Sequence, residues 1–188
     1  MIGFRILVAG LFLALITSLP SLADPVLSVV PASSTVNVGS SISYDINISN
    51  VTDLYAYQFD LTFNPATVSA VSIAEGSFLT SFFIPGAIDN TGGTIAGNAD
   101  TLIGAVPGIS GSGTLAVLTL QGVAPGSSNI GFLNVSLLNS SLGSISNVSL
   151  QSGSVTVNGT VRTPEPSSLL LLLVGMAASV FFGLFSRK

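Results

Sequence analysis

Alternating apolar and polar positions recur along the central part of the chain and predict β-strands rather than helices. In residues 41–49 the apolar positions are separated by Ser, Asp or Asn, so one face of the strand is apolar and the other is polar. Residues 55–63 repeat this pattern with larger side chains. Seven further segments have strand-like composition: 26–30, 35–38, 68–73, 93–96, 114–120, 129–135 and 154–157. About nine strands predict an all-β sandwich of two packed sheets.

Turn-forming residues separate these segments. They are Val38-Gly39-Ser40, Asn64-Pro65, Glu75-Gly76, Thr91-Gly92-Gly93, Ser110-Gly111-Ser112-Gly113 and Ala124-Pro125-Gly126. The glycine-rich stretches at 92–93 and 110–113 have no cation beside them and no helix after them. Turn formation therefore explains them better than an anion-binding loop.

The first 23 residues have the organisation of a secretory signal peptide. A positive charge at Arg5 precedes the apolar run 6–16, and the small residues Ser21 and Ala23 follow it. This arrangement predicts export and cleavage between Ala23 and Asp24. The alternative is an uncleaved N-terminal anchor, but the apolar run is short for a bilayer span of about 20 residues.

The C-terminal region has three parts. Residues 162–168 form a linker containing Pro164-Glu165-Pro166, residues 169–185 form an apolar segment, and residues 186–188 end the chain with two cations. The apolar segment is just long enough for a transmembrane helix. Because cationic flanks stay in the cytoplasm, the domain formed by residues 24–161 is expected outside the inner membrane.

This tail, from Pro164, Glu165 and Pro166 to the basic end, resembles the PEP-CTERM sorting signal of Gram-negative bacteria that make exopolysaccharide. The resemblance implies recognition by an exosortase, which is a membrane-embedded cysteine protease. It also implies removal of the helix and delivery of the domain to the cell surface or extracellular matrix. A plain single-span membrane anchor is the alternative.

Charge and composition exclude several classes of function. Residues 24–163 contain seven acidic residues and a single base, Arg162, so nucleic-acid binding is not expected. The chain has no His and no Cys, which removes Ser-His-Asp and Cys-His catalysis and imidazole or thiolate metal sites. No cofactor is expected.

The remaining carboxylates do not form an obvious catalytic pair. Asp45 and Asp60 are predicted on solvent-facing strand positions, and Asp53, Asp89 and Asp100 are predicted in loops. A glycosidase would need two carboxylates held across a cleft, and nothing in the sequence pairs them. We therefore expect no enzymatic activity and no catalytic residues.

The order of the segments resembles the cohesin domain. The resemblance covers most of residues 25–158 and rests on residues 36–39, 46–51, 54–65, 68–79 and 111–120. Its most specific block is Leu-Tyr-Ala-Tyr-Gln-Phe-Asp-Leu-Thr-Phe-Asn-Pro at 54–65. The resemblance implies a jelly-roll β-sandwich of about nine strands, related to certain cellulose-binding modules. It also implies calcium-dependent capture of dockerin modules.

Candidate binding residues are few. Tyr44, Tyr55 and Tyr57 are predicted to point into the core, and the chain has no Trp, so an aromatic sugar platform is not evident. Two other groups remain. Phe78, Phe82 and Phe83 form either an exposed patch for a partner or a cover over the core. Asp89, Asn90, Asn98 and Asp100 form the only modest group of oxygen ligands, too weak to assign a metal site.

The sequence thus predicts an exported, non-enzymatic module that binds a dockerin-like protein or a polysaccharide. Two alternatives stay open. One is a carbohydrate-binding module for exopolysaccharide. The other is a structural matrix protein that self-associates through sheet edges, where few Lys residues oppose strand pairing.

Overall fold

The computed structural model describes residues 23–159, which form ten β-strands and no helix. The strands are β1 Val26–Val30, β2 Ser33–Asn37, β3 Ser41–Thr62, β4 Val68–Glu75, β5 Ala87–Asp89, β6 Thr94–Thr101, β7 Ile109–Gly122, β8 Gly126–Asn139, β9 Ser149–Gln151 and β10 Gly153–Asn158. None of the residues in this range belongs to a helix that could span a bilayer. The predicted signal peptide before Ala23, Pro164, Glu165 and Pro166, and the predicted membrane helix lie outside the described residues.

Hydrogen-bonded pairing arranges the strands in two sheets that share β3. The first half of β3 lies between β1 and β7, and β9 and β4 extend this first sheet in the order β9-β1-β3-β7-β4. The second half of β3 lies between β6 and β8, which gives a second sheet in the order β2-β10-β8-β3-β6-β5. The predicted all-β sandwich is therefore confirmed.

Strand β3 passes from one sheet to the other at a bend around Asn50 and Asp53. Both residues have left-handed backbone conformations, with φ of 56° and 57°, and the register with β7 shifts on either side of Val51. Asn and Asp adopt this conformation more readily than other non-glycine residues. The Asn50 amide donates to Ser112 Oγ at 3.1 Å and the Asp53 amide to Ser110 Oγ at 2.9 Å. The bend thus keeps its backbone donors bonded.

The buried faces of the two sheets form one apolar core. Phe59 lies at its centre, stacked on Tyr57 at 5.4 Å between ring centroids and in edge contact with Phe132 at 5.9 Å. Fully burying each large apolar side chain contributes roughly 1.5–3 kcal/mol. Leu27 from the first sheet and Leu61 from the second sheet are completely buried in the same core. The alternation seen in the sequence therefore marks the core-facing residues.

Three local predictions were wrong. Residues 41–49 and 55–63 are not two strands but the two halves of β3. Residues 110–113 are not a turn but part of β7, where their hydroxyls bond the bend of β3. The short strands β5 and β9 were missed because each has only three exposed residues, and neighbouring strands rather than their own sequence define them.

The chain enters and leaves the described domain at opposite ends. The Ser149 amide donates to Pro25 O where the chain enters, and the Val38 amide donates to Asn158 O where it leaves. Strands β1 and β9 are parallel, as are β2 and β10, which sets these two positions apart along the strand direction. The described part of the chain therefore ends, at Gly159, on the side of the domain that carries the turn at Gly39.

Candidate functional site

The outer face of the second sheet is flat and nearly uncharged across β8, β3 and β6. Gln58 at the centre of β3 lies between Ser136 of β8 and Ala99 of β6. The neighbouring row on the same face places Ala56 between Leu138 and Thr101. Since residues two apart on a strand share a face, these two rows form a continuous surface of small, neutral side chains.

An open cleft of about 200 Å³ lies over these rows and is bordered on one side by Phe82 and Ile84. Phe82 is 54% exposed and Ile84 is 48% exposed. Ile84 is fixed to the outer edge of β6, because its amide donates to Ala99 O at 2.8 Å and its carbonyl accepts from the Ala99 amide at 3.1 Å. The two apolar side chains are thus held beside the flat face by backbone hydrogen bonds. We call this surface the β8-β3-β6 face.

On the outer side of the β8-β3-β6 face, Asp60 is the one carboxylate from these three strands, and it is only partly exposed. As predicted, it lies on the solvent side of β3, but both of its oxygens are hydrogen-bonded. Its Oδ1 accepts from the Gly97 amide at 2.7 Å and its Oδ2 from Asn134 Nδ2 at 2.6 Å. Gly97 and Asn134 both have positive φ, and the pairing register shifts beside Asp60 on both sides. Asp60 therefore fixes two adjacent β-bulges.

The structure separates the three phenylalanines that the sequence grouped. Phe78 is partly buried and covers β7 at Gly113, where a Cβ atom would lie only 2.6 Å from Phe78 Cδ2. Phe83 is also partly buried against the core. Only Phe82 is largely exposed. Ile84, which follows these phenylalanines directly in the sequence, shares the cleft with Phe82.

The group of possible calcium ligands is not assembled. Asp89 Oδ1 accepts from the amides of Thr91 and Gly92, and these bonds lower the pKa of Asp89. Asn90 instead bonds the amide and carbonyl of Ala70 on β4. No group of three or more acidic, His or Cys side chains within residues 23–159 is placed to hold a metal ion.

Asn98 and Asp100 lie elsewhere, on the core-facing side of β6. Asp100 is 1% exposed, so its predicted loop position was wrong. Asp100 Oδ1 accepts from the Phe82 amide at 3.0 Å. Burial is the main cause that raises the pKa of Asp100 above its ordinary value. This buried carboxylate therefore helps to hold the segment that carries Phe82.

Two of the three tyrosines lie in the core as predicted. The Tyr57 hydroxyl donates to Leu115 O at 2.7 Å, and the Tyr44 hydroxyl donates to Ser154 O at 3.1 Å. Burial raises the pKa of both phenols. Tyr55 is only partly buried, contrary to the prediction, and its hydroxyl donates to Gly104 O. The structure thus shows no exposed tyrosine in residues 23–159 that could serve as a sugar platform.

Comparison with known proteins gives one family. A family model described as the cohesin domain matches residues 27–162. A comparison with curated protein sequences finds no match.

Among solved structures, a non-cellulosomal cohesin from the archaeon Archaeoglobus fulgidus shares 19% identity, with a TM-score of 0.60 over 72% of this chain and 92% of that one. The third cohesin of ScaC from Acetivibrio cellulolyticus, in complex with the ScaB dockerin, shares 23% identity and a TM-score of 0.60 over 71% and 98%. A type I cohesin–dockerin complex from Clostridium thermocellum shares 13% identity and a TM-score of 0.62 over 72% and 100%. These likenesses concern the fold.

Proposed function

The chain belongs to the cohesin-domain family, and from that premise we propose that it is a non-enzymatic module that captures a dockerin-like protein through its β8-β3-β6 face. Two of the similar solved structures are complexes of a cohesin with a dockerin, which supports a protein partner of the same kind here. The observation that carries the choice of face is the pair of exposed side chains, Phe82 and Ile84, beside a flat uncharged surface. Exposed apolar groups around a small central cleft are typical of protein-binding surfaces.

The charge of the domain limits the chemistry of the partner. Residues 24–159 carry seven acidic side chains and no Lys, Arg or His. An acidic partner would be repelled during approach, so a neutral or basic partner is favoured. On the outer side of the face, Asp60 is the one charged side chain from β8, β3 and β6, and both of its oxygens already accept hydrogen bonds. Affinity should therefore come from apolar burial and depend little on salt.

The position of the face suits a module attached to a surface through its C-terminal tail. We propose export with cleavage between Ala23 and Asp24, and anchoring by residues 169–185. We further propose exosortase processing at the sorting motif Pro164, Glu165 and Pro166. In the fold, Ala56 lies six residues along β3 from Thr62, whose partner Gly131 follows Ile130, the residue paired with Gly153 at the start of β10. Because the chain leaves only after Asn158 at the other end of β10, the cleft lies more than about 20 Å from that end, at about 3.3 Å per residue.

The test of the binding function is capture from the secretome of the host. The full chain, immobilised through its C-terminus, is incubated with secreted proteins in the presence of calcium or a chelator, and bound proteins are identified by mass spectrometry. Capture of a dockerin-bearing protein that is lost with the chelator supports the proposal. Retention of exopolysaccharide with no bound protein would contradict it and favour the carbohydrate-binding alternative.

The sorting proposal has a separate test. The mass of the mature protein isolated from its own host should correspond to a chain that begins at Asp24 and lacks Arg187 and Lys188. A mature pool that retains both terminal cations would leave a plain membrane anchor as the explanation. This measurement does not depend on the identity of the binding partner.

A further inference from the structure

Strand β6 carries two polar side chains on its core-facing side, directly under the segment that bears Phe82. Asn98 is 0% exposed and Asp100 is 1% exposed. One oxygen of each, Asn98 Oδ1 and Asp100 Oδ2, is buried and meets no hydrogen-bond donor from residues 23–159. A buried acceptor without a donor destabilises the fold, and it does so more strongly when it is charged. Two such acceptors on one strand require a shared explanation.

The other atoms of the same two side chains hold the segment above them. Asp100 Oδ1 accepts from the Phe82 amide at 3.0 Å, and Asn98 Nδ2 donates weakly to Ile84 O at 3.4 Å. These contacts place the two side chains between the core and the two residues that border the cleft. A change of charge at Asp100 would therefore act directly on the position of Phe82.

No positive charge is present to stabilise a buried aspartate here. Residues 23–159 contain no Lys, Arg or His. The titratable groups facing Asp100 are Glu75 from β4 and Tyr57 from β3. Burial raises the pKa of Asp100, the backbone amides of Phe82, Thr101 and Ser81 oppose this rise, and the charge of Glu75 adds to it. Neither neighbour can offset a negative charge on Asp100.

We propose that a single proton satisfies both oxygens: Asp100 is a neutral carboxylic acid in the folded domain at neutral pH, and its Oδ2–H donates to Asn98 Oδ1. Residues two apart on a strand point to the same side with about 6.6 Å between their Cα atoms, a spacing that two side chains of this length can bridge. The proton removes the buried charge and supplies the donor that Asn98 Oδ1 lacks.

This pair gives the binding face a dependence on pH. As the pH rises and Asp100 ionises, Asn98 Oδ1 loses its donor and a charge appears beneath Phe82. The bond from the Phe82 amide to Asp100 then becomes charge-assisted, while the contact between Asp100 and Asn98 is lost. The segment carrying Phe82 and Ile84 is therefore held differently in the two protonation states, so affinity for a partner should change as Asp100 ionises. This last consequence rests on the proposed function, whereas the shared proton does not.

The direct test follows Asp100 in the full chain by carbon NMR of the aspartate carboxyl groups. The chain has six aspartates, and loss of one signal in Asp100→Asn assigns the resonance. We expect Asp100 to titrate above neutral pH. Asn98→Leu, which removes the acceptor but keeps the site apolar, should lower this pKa, because the protonated acid loses its partner. A pKa of Asp100 below neutral pH, or one unchanged by Asn98→Leu, would overturn the proposal.

Stability provides a second measurement. A raised folded-state pKa gives stability that is fully present below the unfolded-state pKa of about 4 and is lost as pH rises through the folded-state pKa. Relative to Asp100→Asn, the folding equilibrium constant of the wild type should therefore fall by up to tenfold per pH unit in that window. Asp89→Asn is the matched control, because the lowered pKa of Asp89 predicts the opposite slope. A flat difference between wild type and Asp100→Asn would contradict the shared proton.

Calcium distinguishes a proton from a bound cation. If added calcium raises the melting temperature of the wild type but not of Asp100→Asn, a metal ion rather than a proton occupies the position, and the proposal is wrong. No change with calcium, together with the high pKa, supports the proton. Neither result requires a binding partner, so failure of the proposed function would not alter the outcome.

Discussion

Truncating Phe82 to alanine tests whether the β8-β3-β6 face is the binding surface. Phe82 is 54% exposed. Its backbone amide donates a hydrogen bond to Asp100 Oδ1, which holds this residue to the rest of the domain. That bond survives the substitution. We therefore expect Phe82→Ala to leave the fold intact and to reduce the free energy of unfolding by no more than about 2 kcal/mol, the contribution of the covered part of the ring.

The effect on binding follows from the exposed area. A phenylalanine of about 200 Å², slightly more than half exposed, offers about 100 Å² to a partner. At about 25 cal/mol per Å², complete coverage contributes about 2–2.5 kcal/mol, which corresponds to a weakening of Kd by roughly 30- to 70-fold. Most of this change should appear in the dissociation rate.

The assay is isothermal titration calorimetry of full-length wild type and variants with the dockerin-bearing protein captured from the secretome. Val71→Ala is the matched control. Val71 is also 54% exposed but lies on β4 in the first sheet, away from the cleft. Its truncation removes a comparable exposed apolar group and should leave Kd unchanged. If Phe82→Ala binds as tightly as wild type, or if Val71→Ala weakens binding as much, the face has been assigned wrongly.

Two further predictions concern stability. Gly76→Ala should reduce the free energy of unfolding by roughly 2–4 kcal/mol in urea titrations, because the new Cβ would lie 2.1 Å from Thr114 O and would break backbone hydrogen bonds to β7. Gly39→Ala is the control: open space surrounds Gly39, so this variant should lose no more than about 1 kcal/mol. Equal losses in the two variants would contradict the steric argument. The pKa of Asp53 is lowered, mainly by the hydrogen bond from the Ser140 hydroxyl. The contribution of Asp53 to folding stability is therefore present above the unfolded-state pKa and is lost as pH falls through the folded-state pKa. Asp53→Asn should remove that acid sensitivity in thermal melts across pH, and a variant with the wild-type pH profile would show that Asp53 is not its source.

The sequence predicted most strands because burial on one face leaves a period of two in the order of side chains. This holds for β1 and β10, whose alternation matches their buried positions. It fails for β5 and β9, which have no buried residue and exist only because β6 and β1 supply hydrogen-bonding edges. The continuity of β3 was also not predictable, because its bend depends on serines of β7 that are 57 and 62 residues away.

The candidate site likewise has features that the sequence predicts and features that depend on the tertiary structure. The sequence identified the aromatic stretch at Phe78, Phe82 and Phe83, but which ring is exposed depends on the position of the segment over β7. Phe78 covers Gly113, a residue 35 positions later, so only the folded chain leaves Phe82 at the cleft. The role of Ile84 likewise comes from its backbone pairing with Ala99.

Local patterns therefore determined the fold class, the charge of the domain and the predicted address of the chain. These properties depend on the kinds of residue present and on their order, which are complete in the sequence. The tertiary structure decided which polar groups are buried and which are bonded. The sequence predicts both Asp60 and Asp100 in exposed positions, yet Asp60 accepts from two donors and Asp100 is buried with one oxygen that meets no donor from residues 23–159. Burial and hydrogen bonding are set by distant parts of the chain, so they appear only once the two sheets have packed.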